Sequence, residues 1–349
     1  KTGDIGIVLE STSKTGGDKF EGAFTFKTST FGQINFDGAV SGPIRKGWYY
    51  AVGAFVNLDP TSVNAPGRTF VDNRQIFKAA ITKRWTNAEF NIFYKFSLSK
   101  DNLGGYSEAP FIYNGDGSVS ALDGFKIGRT RYFPADDHIT YMDLMTGEIK
   151  SGNMGKMDDR QIHDILLKGR YNTESGWILK GSLHACISPK DNWAKSVLSG
   201  IDNAEGGFLK NGKAITLPDG TPYSGAIQNR VVSIVDAKSL DFTALFEAGK
   251  KWRKHELDLG LELATIHQYE RTSATKMAHT VSADPQRLYL DSQETWGHNM
   301  NAQYVAGHRN TATLYGFHNW NITDRLFLKT GVRVRALNQS CDGAHNLNG

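Results

Sequence analysis

Strict alternation of apolar and polar residues is the dominant pattern along this chain. In the clearest segment, residues 255–264, four leucines alternate with Glu256, Asp258, Gly260 and Glu262. Successive side chains of a β-strand point to opposite faces, so a period of two gives a strand one apolar and one charged face. The pattern therefore predicts an amphipathic strand here.

The same alternation recurs often enough to predict about eleven strands, many of about 9–11 residues, the length that a tilted strand needs to cross a hydrocarbon core. These predicted strands lie at 21–28, 33–40, 48–57, 76–84, 89–98, 163–171, 177–184, 241–248, 255–264, 311–320 and 325–335. The longest continuous apolar stretch runs from Trp48 to Val56. It is far short of the ~18 apolar residues that a membrane helix needs.

The predicted connections alternate between short and long. The short ones are 41–47, 85–88, 172–175, 251–254 and 321–324, and the long ones are 58–75, 99–162, 187–239 and 267–310. Outer-membrane barrels have short periplasmic turns and long extracellular loops. The pattern therefore predicts an oriented barrel with the 41–47 turn in the periplasm.

The fold class predicted from these patterns is all-β, a transmembrane antiparallel up-and-down β-barrel. Aromatic residues near strand ends, such as Trp48, Trp177 and Trp320, fit the girdles of such barrels. A soluble β-sandwich and a propeller are the alternatives, and the lack of an internal repeat disfavours the propeller. Because single-chain bacterial barrels usually have an even number of strands, eleven predicts an incomplete barrel.

Composition narrows the possible functions. The chain has 349 residues and a net charge of +4, with its basic residues scattered, which gives no indication of nucleic-acid binding. It has two cysteines, Cys186 and Cys341, which excludes a disulfide-rich scaffold. Both are expected near the extracellular rim, where a disulfide between them is one open possibility.

The charged faces of the predicted strands should line the lumen, because a charge on the lipid face at mid-membrane depth costs several kcal/mol. The lumen candidates are Lys95, Glu256, Glu262, Arg333 and Arg335. Ligand recognition is expected in the long loops, since a rigid scaffold carries its binding residues there. The candidates for ligand binding are the loop aromatics Tyr106, Tyr132, Trp193, Tyr223 and Trp296, with packing of loop against loop as the alternative role.

No catalytic grouping is visible, so we expect neither an enzyme nor a bound cofactor. Residues 114–118 and 136–138 have metal-ligand residue types, but a turn and a solvated loop are the better interpretations. His267, His298 and His308 fall in one predicted loop, where haem or metal capture is an alternative. Asn-Gly and Asp-Gly pairs predict small hairpins within the long loops.

Three segments carry a resemblance to TonB-dependent outer-membrane receptors. Residues Asn35–Ile44, followed by Lys46 and the aromatic start of a strand at Trp48–Tyr50, resemble the early barrel of that family. Residues 5–17 resemble the last plug strand and its exit into the barrel, and Trp320–Leu326 resembles a mid-barrel hairpin. The resemblance is closest to receptors of Bacteroidota, including the SusC-like transporters.

The resemblance implies that residues 1–18 end a plug domain and that residues 19–349 form about half of a barrel of roughly twenty-two strands. It implies import of a siderophore, haem, cobalamin, glycan or peptide across the outer membrane of a Gram-negative bacterium. Energy would come from the TonB complex, through a segment absent here. The lumen charges would contact the plug, outer-membrane lipid would surround the wall, and a surface lipoprotein is a possible partner. A passive porin or structural barrel is one alternative function, and a soluble all-β binding or adhesion protein is another.

Overall fold

The computed structural model describes residues 13–63, 69–101, 110–143, 146–291 and 303–345. Within these ranges the chain is almost entirely β-structure, with one short 3-10 turn at Met154–Lys156. No helix in the described part of the chain is long and apolar enough to cross a membrane. The predicted candidates Tyr106, Trp296 and His298 lie outside the described residues.

Eleven long strands form one meander, in which each strand pairs antiparallel with the next along the chain. They are β1 (Glu21–Thr28), β2 (Ile34–Arg45), β3 (Trp48–Asp59), β4 (Asp72–Arg84), β5 (Ala88–Asp101), β6 (Asp159–Asn172), β7 (Trp177–Glu205), β8 (Gly225–Trp252), β9 (His255–Thr280), β10 (Gln303–Asn321) and β11 (Phe327–His345). The prediction of an antiparallel up-and-down sheet is confirmed, as is the strand number.

The five connections predicted to be short are confirmed. They lie at 46–47, 85–87, 173–176, 253–254 and 322–326. The first is tighter than the predicted 41–47, because β2 continues through Gly42 and Pro43, which pair with Tyr50 and Tyr49 of β3. All five turns lie at the same end of the sheet.

The predicted long loops 187–239 and 267–310 are wrong in extent, because the strands run on through much of them. Strands β7, β8 and β9 have 29, 28 and 26 residues. Their outer parts lack the alternation that defined the predicted strands, and in β8 and β9 protein packs on both faces there. The backbone ladder continues regardless, as far as the pairing of Ile227 with Thr280.

The remaining loops carry short strands of their own. Phe111–Tyr113 pairs with Val119–Ala121 around the Asn-Gly turn, which confirms that predicted hairpin. The other short strands are His138–Met142 with Ile149–Asn153, Phe208–Leu209 against β7, and Ile215–Thr216 with Arg287–Leu290.

The sheet has two unpaired edges. Within the described residues β1 pairs only with β2, and β11 pairs only with β10. Hydrocarbon offers no partner to an open strand edge, so a sheet of this kind placed in a membrane needs further strands to close it. The odd number of long strands agrees with the prediction of an incomplete barrel.

Candidate functional site

All five predicted lumen residues share one face of the sheet. The register places Arg84, Glu89, Arg170, Lys180, Glu247, Gly260, Tyr315 and Arg333 in one continuous row across β4 to β11. Lys95, Glu256, Glu262 and Arg335 lie an even number of residues from members of this row, so they lie on the same face. We call it the polar face.

Contacts within the polar face link neighbouring strands. Arg84 pairs with Glu89 at 2.9 Å, and Lys95 with Asp164 at 3.4 Å. The hydroxyl of Tyr315 donates to Glu247 at 2.8 Å. The ring of Tyr315 reaches Glu247 by passing over Gly260, and a Cβ added at Gly260 would overlap with that ring. These contacts join neighbouring strands side by side. Other charged residues of the polar face stay exposed.

The segment 13–18 packs against this polar face at the end with the short turns. The hydroxyl of Tyr49 donates to Asp18 at 2.7 Å, and Arg84 donates to Thr15 at 3.2 Å. Gly16 sits so close that an added Cβ would lie 2.8 Å from both Gly42 O and Tyr49 Cβ. The chain therefore reaches β1 from within the polar side of the wall.

The opposite face carries the apolar residues, many of them exposed. In β9, Leu259, Leu261 and Leu263 are 43%, 37% and 42% exposed. In β8 the matching residues across the ladder are Ala248, Phe246 and Ala244. We call this the apolar face, and in a membrane it would contact lipid.

We call the outer parts of β7, β8 and β9 the strand tips (residues 190–205, 225–238 and 269–280). Loops pack on both faces of the tips of β8 and β9, whereas much of the tip of β7 is exposed. On the apolar face, Phe133, Ile139 and Met154 pack with Val232 and Met277. On the polar face, the loops contribute a second cluster, which comprises Ile215, Leu288 and Leu290 packed with Ala204, Ile227 and Ala278.

Three arginines hold the segment 132–143 in place. Arg230 and Arg271 belong to the strand tips, and Arg287 belongs to the short strand Arg287–Leu290 beside them. Arg287, which is 2% exposed, pairs with Asp136 at 3.2 Å. Arg271 pairs with Asp143 at 3.3 Å and also with Asp236 of β8. The third arginine, Arg230, donates to the carbonyl oxygen of Tyr132.

Arg230 is fully buried and lies at the centre of a polar network. Its Nε lies 2.8 Å from His279 Nε2, and its Nη1 donates to Ser196 at 3.2 Å. Burial and the neighbouring guanidinium lower the pKa of His279 to about 3, so the imidazole is neutral and Nε2 can accept from Arg230. His279 Nδ1 then donates to Thr280 O at 2.9 Å.

A cleft of about 310 Å³ opens between the β-hairpin 138–153 and the strand tips. Tyr141, Asn192 and Trp193 are among the residues that line it. Ion pairs such as Lys190–Asp159, at 2.6 Å, hold its walls in place. Burial raises the pKa of Tyr141, so its hydroxyl stays protonated and can donate a hydrogen bond. The cleft suits a small ligand with a ring and several polar groups.

The predicted ligand-binding residues have different environments. Trp193 lines the cleft. Tyr132 is fully buried, where burial raises its pKa to about 12 and its ring meets the imidazole of His279 edge-on at 5.0 Å. Tyr223 packs beside the second loop cluster, and its hydroxyl donates to Ala226 O at 2.8 Å. Of these three, Trp193 is among the residues that line the cleft, and its contact with a ligand stays a prediction.

The other candidate motifs have structural partners. Asp137 accepts from Asn153 and from the Gly155 amide, at 2.7 and 2.8 Å. Cys186 and Cys341 are both free. Among the described residues, no group of three or more His, Cys, Asp or Glu side chains is placed to hold a metal ion.

Sequence reasoning missed Arg271, Arg230 and His279. Their partners are far away in the chain: Arg271 and Asp143 are 128 residues apart, and Arg230 and Tyr132 are 98 apart. The one available signal was the run of small residues at 272–275, because such a run suits a strand covered on both faces.

No family profile and no curated protein matches this sequence. Solved structures do resemble it. A chain in the FpvAI–pyocin S2 complex matches with a TM-score of 0.60 at 12% identity, over 95% of this chain and 40% of its own length. The ferric-catecholate import receptor Fiu of E. coli K12 matches with a TM-score of 0.56 at 13% identity, over 97% of this chain and 47% of its own.

The siderophore receptor PiuA from Acinetobacter baumannii matches with a TM-score of 0.53 at 12% identity, over 95% of this chain and 47% of its own length. This chain therefore spans less than half of each of these structures. At such identities the likeness shows the fold: the eleven-strand meander resembles part of the barrel wall of these structures.

Proposed function

We propose that this chain belongs to an outer-membrane receptor of a Gram-negative bacterium that imports a nutrient with energy delivered by the TonB complex. The observation that carries the proposal is the contact of segment 13–18 with the polar face, through Asp18, Thr15 and Gly16. A passive porin needs an open lumen, whereas a receptor leads its chain out of a plug that fills the lumen. Residues 1–18 would then end the plug domain, and residues 19–349 would belong to the barrel.

The lumen residues follow from this arrangement. Lys95, Glu256, Glu262, Arg333 and Arg335 share the face that receives segment 13–18. We propose that these charges contact the plug and hold it by hydrogen bonds that can exchange with water when the plug moves. The narrower resemblance, to Bacteroidota-type and SusC-like receptors with a surface lipoprotein, stays a prediction.

A ferric siderophore is our first choice of ligand, because Fiu and PiuA are described as receptors for such compounds. Haem, cobalamin, a glycan and a peptide are the alternatives. We propose that the ligand contacts Trp193 in the cleft, where an aromatic surface and polar groups converge.

Uptake by cells that carry the whole protein tests this function. Uptake of an iron-labelled siderophore should stop when the proton gradient of the inner membrane is dissipated or when TonB is deleted. Uptake that persists under both conditions, with ion conductance in planar bilayers, would establish a porin instead. Release of the protein from membranes by carbonate without detergent would show a soluble protein.

The variant Trp193→Ala tests the cleft. Loss of a stacking surface should weaken ligand binding by roughly tenfold. The matched control is Trp85→Ala, since Trp85 is exposed at the short-turn end of the sheet. Equal binding by both variants would show that the ligand does not use the cleft.

A further inference from the structure

A second depression lies on the apolar face, next to the cleft along the same strands. Its volume is about 490 Å³, and its lining includes Leu240, His267, His308 and Ser340. These four residues pair successively across β8, β9, β10 and β11, so they form one lateral row. We call it the histidine groove. His267 follows Leu263 by four positions on the same face, which places the groove about 10 Å beyond the leucine stripe on a tilted strand.

An apolar groove of about 460 Å³ lies directly below it. Phe242 and Leu263 form raised sides, and the small side chains of Ala312 and Ala336 leave space between neighbouring strands. Its upper row is two residues away from the histidine row on every strand, so the two grooves share one face and are continuous.

The histidine groove presents hydrogen-bond donors. The rings of His267 and His308 are stacked with centroids 5.8 Å apart, and Ser340 Oγ lies 2.9 Å from His308 Nδ1. Lys238 and His267 are exposed, and His308 is half-buried. Asp342, at the rim on β11, is the acidic residue among those that line the groove.

We infer that the two grooves together bind one anionic lipid that carries a phosphate, for which phosphatidylglycerol serves as the probe. Its acyl chain would lie between Phe242 and Leu263, and its phosphate would lie among Lys238, His267 and His308. Ammonium and imidazole N–H groups donate to phosphate oxygens, and these charge-assisted bonds are the strong ones. The inference rests on the membrane position given by the proposed function, but it does not require transport.

Lipid retention by the full-length protein tests this site. The protein is placed in nanodiscs of phosphatidylcholine with added phosphatidylglycerol, and the lipids that remain bound are counted by native mass spectrometry. The wild type should keep one phosphatidylglycerol in preference to phosphatidylcholine. The triple variant Lys238→Ala, His267→Ala, His308→Ala should lower that retention about tenfold.

The chain offers a matched control at the opposite rim of the same face. His255 and His318 also stack, with centroids 5.2 Å apart, so His255→Ala with His318→Ala removes a similar pair. This control should keep the bound lipid. Equal loss from both variants would overturn the specific site, because any interfacial histidine pair would then have the same effect.

The variant Asp342→Asn tests the charge of the headgroup. Removal of the carboxylate should raise phosphatidylglycerol retention, and a fall would overturn the assignment of an anionic headgroup. A protein that enters nanodiscs but shows no preference for phosphatidylglycerol refutes this inference alone. A protein that cannot be placed in nanodiscs refutes the membrane receptor as well.

Discussion

Strands β7, β8 and β9 contain two kinds of structure along a single hydrogen-bonded ladder. Near the short turns their apolar side chains are exposed, as with the 43% exposure of Leu259. In the tips of β8 and β9 many side chains are buried, and Arg230, Val232 and His279 are inaccessible to solvent. The wall depends on lipid for its apolar face, whereas the tips have their own packed core. Both regions therefore share one continuous pairing register. They differ in their surroundings, since the apolar face of the wall depends on lipid and the tips are packed against protein.

Among the substitutions considered, the largest loss of stability is expected in the strand tips. Arg230→Ala should destabilise the packed loops by about 3–5 kcal/mol, because buried partners such as Ser196 and the Tyr132 carbonyl lose their donor. Hydrogen exchange of amides in 132–143 should accelerate, while the wall near 255–264 should be unchanged. Arg309→Ala, at an exposed position, is the control. Equal acceleration in the wall would show that the two regions unfold together.

The variant Leu261→Arg tests the wall instead of the tips, because it places a positive charge on the apolar face of the wall. On the lipid face, an arginine near the bilayer centre costs about 2–4 kcal/mol. The neighbouring change Glu262→Arg, on the polar face, should cost at most about 1 kcal/mol. Unfolding of the full-length protein from liposomes measures both. If the two variants are equally stable, the assignment of faces is wrong.

Gly16→Ala probes the contact between the entering chain and the polar face. The new Cβ would lie 2.8 Å from the backbone oxygen of Gly42, so segment 13–18 must move, at a cost of about 1–3 kcal/mol. Gly17→Ala is the control, since nothing lies within 4 Å of an added Cβ there. Proteolysis of the segment should be faster in the first variant only.

Acid should loosen the tips before the wall. The pKa of His279 falls to about 3 on burial, below the ~6.5 of an exposed histidine. The unfolded loop region therefore binds more protons, and its stability falls as the pH drops below ~6.5, by about 1.4 kcal/mol per unit. Hydrogen exchange of 132–143 at pH 7 and pH 5 measures this. His279→Gln should flatten the dependence, and a variant with an unchanged slope would assign it to another group.

The sequence predicted the wall well because the medium there enforces a simple rule. Lipid on one face and water or protein on the other require strict alternation, as at Leu257–Leu263, and the faces of Glu262 and Arg335 follow from parity alone. The tips follow no such rule. Ser273, Ala274 and Thr275 are all buried, so residue type no longer marks a face.

The cleft was beyond prediction for a different reason. Trp193 was a candidate because it is aromatic and in a predicted loop, but its neighbours come from distant parts of the chain. The hairpin 138–153 reaches the strand tips through contacts such as Ser273 with the Met142 carbonyl, 131 residues apart. Contacts between such distant residues depend on how a loop folds back onto the sheet, and the local sequence pattern carries no information about that.

Within the described residues the outer ladder of β11 has no partner strand, which has a practical consequence for assembly. A strand with a free edge is a template for another strand, and in a closed barrel that strand would come from another part of the wall. The chain can therefore be supplied to cells as one of two separately translated polypeptides, with the second carrying the strands that close the barrel. Recovery of a heat-resistant barrel from two such pieces would make this chain one half of a split reporter for barrel assembly.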